Sequence, residues 1–224
     1  PKVLDTKTAD LITPSVPLIA AGETVTGAMC ALSNSADDIK IVYVVTTLKP
    51  AAGPEPEIAR TTGYLFDLRS NQPLATRDLQ PTAPELKLAA PKEWRLAATA
   101  TGAAWVNAYT DPSGAAAPPR TVILSNTDLA TRWDDPQPGR VWQDVLAFQR
   151  STPPSSTPPG STPGAELRSP TGEPVYENNE IVTVDAELSD GADKLVQLTH
   201  RDPQNPAVLD TVFFDLTSKA LIKI

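Results

Sequence analysis

Apolar and polar residues alternate along the chain in short runs bounded by Pro, Gly, Asn and Asp, the pattern of many β-strands at near-regular spacing. Four units of like layout follow from it, each a β run, a loop of variable length and a second β run that ends in a turn. The first pairs Ile39–Leu48 with Thr62–Leu68 around the loop Pro50–Pro56. The second pairs Ala103–Thr110 with Arg120–Ser125 across Asp111-Pro112-Ser113-Gly114 and an Ala/Pro tail. The third pairs Val141–Arg150 with Ala165–Tyr176 across a long Pro/Ser/Thr loop, and the fourth pairs Leu195–His200 with Val208–Leu216 across Asp202–Pro206. Between the units, Lys92–Ala100 and Glu180–Leu188 are further β-prone stretches, so each unit predicts a sheet of about four strands. The best helix phrase, Thr82–Leu88, has room for one or two turns.

Composition agrees with an all-β reading. The 224 residues include 24 Pro against 11 Gly, and each Pro inside a helix costs about 3 kcal/mol, which leaves little scope for long helices. A β domain of this length commonly forms one unit, so residues 1–224 are expected to form a single domain.

One phrase is written twice. Tyr64-Leu65-Phe66-Asp67-Leu68-Arg69-Ser70-Asn71-Gln72-Pro73-Leu74 returns in degraded form as Val212-Phe213-Phe214-Asp215-Leu216-Thr217-Ser218-Lys219-Ala220-Leu221. An apolar strand, an Asp, a tight turn and a return strand are thus repeated, which points to a fold built from copies of one supersecondary unit. The Asp has a structural task here, because its carboxylate can accept backbone N–H groups of the turn that follows it.

With Gly63 in front, the first phrase resembles the blade repeat of quinoprotein-like (PQQ-like) β-propellers, whose pattern runs strand, Asp, short turn with Gly, return strand, Trp. The second unit keeps the Trp: Trp133 stands eight residues after Ser125, the position matched to the Asp. In the first unit that place is Ala75, the turn Gly is missing from both Asp-bearing copies, and the third unit keeps only the turn and return strand of Leu167–Val175. The resemblance implies a propeller-like stack of about four antiparallel four-stranded blades, complete or as part of a larger propeller. A β-sandwich is the alternative architecture. No cofactor-holding constellation carries over from the family, so no cofactor is expected.

Charge and rare residues narrow the chemistry. A net charge of -8 and scattered single arginines offer no basic stripe for nucleic acid. Cys30 is the only cysteine, which excludes an intrachain disulfide; its apolar surroundings suggest a buried structural thiol. His200 is the only histidine, and no Gly-x-Ser-x-Gly phrase exists to meet it, so it reads as a solvent-exposed residue at a strand end. One His and one Cys all but exclude zinc. Asp37-Asp38, Asp134-Asp135 and Asp190-Gly191-Ala192-Asp193 lack the spacing of calcium loops and sit where turns are expected. No phosphate-binding glycine loop is present, and no apolar run is long enough for a membrane-spanning helix. Any membrane association would run through an anchor upstream of Pro1.

Recognition by loops remains. The longest inserts between equivalent strands are Gly53–Glu57, Pro112–Pro119, Ser151–Gly164 and Asp202–Pro206, and stacked units should bring them to one rim. Pro112, Pro154 and Pro203 mark three of these loops as candidate binding residues. Trp142, beside Arg140 and Gln143, is the fourth candidate, while Trp105 and Trp133 lie in patterned strands and suit packing between sheets. Residues 151–164 form an exposed Pro/Ser/Thr-rich insertion of the composition seen in O-glycosylated stalks. The sequence therefore points to a non-catalytic scaffold of the cell envelope or extracellular space, engaging a protein or an envelope glycan. The alternatives are a carboxylate-based hydrolase or lyase on a propeller face, and a partial propeller completed by another subunit or by further parts of a longer protein.

Overall fold

The computed structural model describes residues 3–4, 11–12, 19–33, 40–49, 58–68, 70, 72–79, 87–88, 95–110, 113, 115–150, 164–178, 180–190, 193–202, 204–205 and 207–223. All regular structure among them is β. The chain forms two compact units, Pro1–Pro138 and Gly139–Ile224, and each contains two large antiparallel sheets.

The first unit opens with a two-stranded pair, β1 (Val3–Leu4) and β2 (Leu11–Ile12). Its first large sheet lays β3 (Thr24–Ser33), β4 (Lys40–Lys49), β5 (Ile58–Asp67) and β6 (Gln72–Asp78) side by side in chain order. Its second uses β7 (Lys87–Leu88), β8 (Arg95–Thr99), β9 (Gly102–Thr110), β10 (Ala116–Ser125) and β11 (Thr131–Asp135). Both β7 and β8 pair with β9, at Tyr109–Thr110 and at Gly102–Val106, so they act as one first strand in two pieces.

The second unit repeats the meander twice. One sheet is β12 (Gly139–Val141), β13 (Leu146–Gln149), β14 (Ala165–Arg168) and β15 (Pro174–Asn178). The other is β16 (Ile181–Asp190), β17 (Asp193–Arg201), β18 (Leu209–Asp215) and β19 (Ala220–Lys223). The chain is thus all-β and built of four-stranded antiparallel meanders, the blade form that its strand pattern predicts.

Alternation explains the packing in each unit. Val42, Val44 and Leu65 on one face of the first sheet join Ala103, Trp105, Val122, Leu124 and Leu129 of the second in one buried cluster. Ile41, Tyr43, Val45 and Phe66 form a second buried cluster on the opposite face of the first sheet. Burial on both faces accounts for the almost unbroken apolar run of β4, where a strand with one wet face would alternate. In the second unit Ala147, Ala165 and Leu167 meet Ile181, Val196, Leu198, Val212 and Phe214, and Tyr176 stacks on Phe214 with ring centroids 4.5 Å apart. Each Val, Leu, Ile or Phe side chain among them contributes about 1.5–3 kcal/mol through area removed from water.

The turn that returns the last strand onto each sheet is one device used four times. Asp67 accepts the N–H of Ser70 at 2.8 Å, Ser125 Oγ that of Thr127 at 3.1 Å, Ser169 Oγ that of Glu173 at 3.2 Å and Asp215 that of Thr217 at 2.7 Å. The hydroxyl of Ser218 and the Thr217 N–H hold the Asp215 carboxyl below its ordinary pKa. Leu129 and Lys219 donate to the carbonyls of Ser125 and Asp215 from left-handed backbone, φ 58° and 59°. A bulge follows at the same place in three sheets, where the outer strand carries Leu74, Arg132 or Val175 as the extra residue. The fourth sheet pairs Val212 through Asp215 with Lys223 through Ala220 without one.

Several expectations change. The run Val141–Arg150 is two strands, because Trp142 donates to the Val145 carbonyl and closes a tight loop between β12 and β13. Of the helix phrase Thr82–Leu88 only Lys87–Leu88 is described, and it is a strand. Cys30 is exposed: it lies in β3, whose inward residue at that point is Met29, so the period of two turns the thiol outward.

Two glycine positions give opposite predictions. A Cβ on Gly102 would lie 2.0 Å from the Leu124 carbonyl oxygen on the adjoining strand, so Gly102→Ala should cost about 3 kcal/mol through forced strand separation. Lys219→Gly removes left-handed strain from an exposed turn residue and should add about 0.5–1 kcal/mol. Urea denaturation of both variants measures the two signs.

Candidate binding surface

In three of the four large sheets the longest insert is the same connection, from second to third strand, and in the second sheet that connection is as long as the capped turn. It spans residues 50–57 between β4 and β5, 111–115 between β9 and β10, 150–164 between β13 and β14, and 202–208 between β17 and β18. The capped turns lie at the opposite end of each sheet, since they join third to fourth strand. Pro112, Pro154 and Pro203 lie outside the described residues, as do residues 50–57 and 151–163. What the structure defines is the foundation from which the inserts rise.

Buried or half-buried polar pairs occupy that foundation. Near the first insert, Thr46 and Thr61 share a hydroxyl hydrogen bond of 3.3 Å between β4 and β5. In the second sheet the Arg120 guanidinium is paired with Asp134 of β11. The fourth insert is closed by the Asp202 N–H to the Val208 carbonyl at 3.1 Å and by Asp202 Oδ1 accepting from Gln204 at 2.7 Å.

The third insert rests on a charged cluster. Arg150 directly follows β13, at the start of the insert, and its backbone N–H donates to the Gly164 carbonyl where the chain returns, at 3.0 Å. Its guanidinium binds Glu166, 2.6 Å from Nε to Oε2, while Arg168 donates to the other carboxylate oxygen. Both guanidinium groups lie over the Phe148 ring, 5.3 and 5.9 Å from its centroid. The geometry follows from register: Phe148 is opposite Glu166 and Leu146 opposite Arg168, so the acid and both cations share a face with the aromatic ring. Glu166 is only 8% exposed. Burial pushes its carboxyl upward, but the hydrogen bonds and charges of Arg168 and Arg150 outweigh it and hold the group below its ordinary 4.5.

His200 is a further correction. It is buried rather than solvent-exposed, with Nε2 2.9 Å from the Glu180 carboxylate. Nδ1 has no hydrogen-bond partner among the described residues. Glu180 also receives the Arg201 N–H on its carbonyl and donates its own N–H to Asn178. The pair therefore fastens the junction between β15 and β16 to the end of β17.

Trp142 is half-buried and packs against the core of the second unit. Trp105 is fully buried, Trp133 half-buried, and Trp94 lies outside the described residues. Of the acidic pairs, Asp134 is engaged by Arg120, and Asp135 is buried and accepts the Gln137 N–H. Asp37 and Asp38 lie outside the described residues, and Asp190 and Asp193 face each other in the β16–β17 hairpin. No group of three or more His, Cys, Asp or Glu able to hold a metal ion occurs among the described residues. Sequence reasoning missed Glu166, Arg150 and Arg168, although Glu166 and Arg168 two apart in a strand announce a shared face.

No protein-family model matches the chain, and no curated protein matches it. Among solved structures it is similar to the β-propeller domain of the trilobed protease from Pyrococcus furiosus, described as having an open velcro topology. The TM-score is 0.40 at 9% identity, over 92% of this chain. The chain spans 58% of that domain's length.

The Glu166 cluster carries a pH prediction. A carboxyl held below its ordinary value contributes stability at pH above about 4.5, and that contribution is lost as pH falls through the lower folded value. Glu166→Gln should therefore cost about 3 kcal/mol at pH 7 and progressively less below pH 4, as thermal unfolding across that range would show.

Proposed function

We propose that this chain is a non-catalytic interaction domain of the cell envelope or extracellular space, of the quinoprotein-like propeller type. Its inserts between second and third strands form the recognition rim. One observation carries the reading: the three longest inserts, of 15, 8 and 7 residues, are the same topological connection in three of the four meanders. A repeated sheet that varies at one connection resembles a scaffold that varies a binding surface. The Pro/Ser/Thr composition of residues 151–163 suits an exposed contact segment, and the Arg150–Glu166–Arg168 cluster beneath it supplies a rigid base. The partner class is a protein or an envelope glycan, and the acidic balance of -8 opposes nucleic acid.

Replacing residues 151–163 by a short Gly/Ser linker tests this reading. The variant should keep the parent's thermal midpoint within about 2–4 °C, since shortening a surface loop changes closure entropy little. It should lose the partner that the parent captures from an envelope extract. Equal capture by both proteins, and by matching replacements of residues 50–57 and 202–208, would refute the rim.

A further inference from the structure

The four meanders treat their outermost strands differently, and the difference singles out one edge. The outer strand β6 carries Pro73 and the bulge residue Leu74, β15 carries Pro174 and the bulge residue Val175, and β11 has the bulge at Arg132 with Asp134 and Asp135 beyond it. Proline, bulges and charges are devices that stop a further strand from pairing with an open edge. The equivalent strand β19 has neither proline nor bulge, its one charge is Lys223 at the register position that Asp134 holds in β11, and Leu221 and Ile222 are 38% and 40% exposed.

The repeat also fixes which backbone groups face outward. Pro73 is opposite Phe66, Pro174 opposite Arg168 and Leu221 opposite Phe214, each beside the residue that caps the turn. Proline has no N–H to give, so this position is one whose N–H the ladder does not use. At Leu221, therefore, N–H and C=O point away from β18, and two residues on the same holds for Lys223. Among the described residues no strand takes up this edge.

Charge selects the occupant. Residues 216–224 contain Lys219 and Lys223 and no acid, within a chain of 27 acidic and 19 basic residues. Pairing of β19 with a second copy of itself about Leu221 would set Lys219 opposite Lys223 of the copy, twice, and like charges directly opposite oppose pairing. We infer that the outer edge of β19 is a docking edge for an extended peptide strand with β-branched apolar residues between acidic flanks, added by main-chain hydrogen bonding.

The probe is a fluorescein-labelled Glu-Thr-Val-Thr-Val-Glu peptide, followed by anisotropy against the whole chain. Saturable binding is expected, about fivefold weaker for the Lys-flanked counterpart and abolished by N-methylation of alternate peptide amides. Leu221→Pro, which grafts the residue found at two of the three sister positions, should abolish binding while the thermal midpoint holds. Lys219→Glu combined with Lys223→Glu should reverse the flank preference, and this variant reports independently of whether the proline variant folds. Absence of saturable binding, binding that survives N-methylation or the proline, or a flank preference unmoved by the double variant overturns the inference. So does a dimer in sedimentation that Leu221→Pro dissolves, since a second copy would then hold the edge.

Discussion

A side-chain oxygen that accepts a backbone N–H just after the third strand of each sheet sets the geometry of everything that follows it. In a chain without helices among its described residues, a tight turn exposes donors that have no ladder partner. Asp67, Ser125, Ser169 and Asp215 satisfy them locally, and the outer strand then starts five or six residues on. From that offset come the cross-strand pairs Phe66 with Pro73, Leu124 with Thr131, Arg168 with Pro174 and Phe214 with Leu221. A slip of one residue would turn every outer-strand side chain to the wrong face. The same device tolerates Ser for Asp because a hydroxyl oxygen accepts the bond as a carboxylate does, at a somewhat longer distance in these turns.

This interaction was readable in the sequence where it uses Asp, and only faintly where it uses Ser. The phrase around Asp67 and Asp215 disclosed the repeat, and short apolar runs located β4, β9, β10, β17 and β18 to within a few residues. Strand β3 was harder to see because its residues are small, with Ala28, Cys30 and Leu32 facing outward and Met29 inward; weak amphipathicity gives little period to read. The loop inside Val141–Arg150 is held by one backbone bond from Trp142 to Val145, which no turn residue announces. His200 misled for a related reason. A polar residue at a strand end is exposed by default, and its burial depends on Glu180, a partner twenty positions away.

The insert ends show why long loops sit where they do. Adding residues to a surface connection costs little closure entropy, but the strands that carry it must not fray. Arg150 meets that need twice, through its backbone bond to Gly164 and its ion pair with Glu166. A buried ion pair is costly to desolvate, so an apolar pair of equal volume would stabilise the sheet as well or better. What the charged cluster adds is geometry: two guanidinium groups over Phe148, bonded to the two oxygens of one carboxylate, admit one arrangement of the strand ends.

The fourth sheet departs from its sisters at a single feature, and the departure is internally consistent. A bulge adds one residue to the outer strand, bends it and increases local twist, turning the edge away from an incoming strand. Without it, β18 and β19 stay in continuous register from Val212 with Lys223 to Asp215 with Ala220, so the edge remains regular as far as the ladder runs. The turn before it is nevertheless capped as in the other sheets, with Lys219 in the left-handed backbone that Leu129 adopts in the second sheet. Turn chemistry and edge protection are therefore separable in this repeat: the first is kept in all four copies, and the second is given up in one. The fourth copy keeps the left-handed turn residue while lacking the bulge, so the turn does not require the bulge that follows it in the other three sheets.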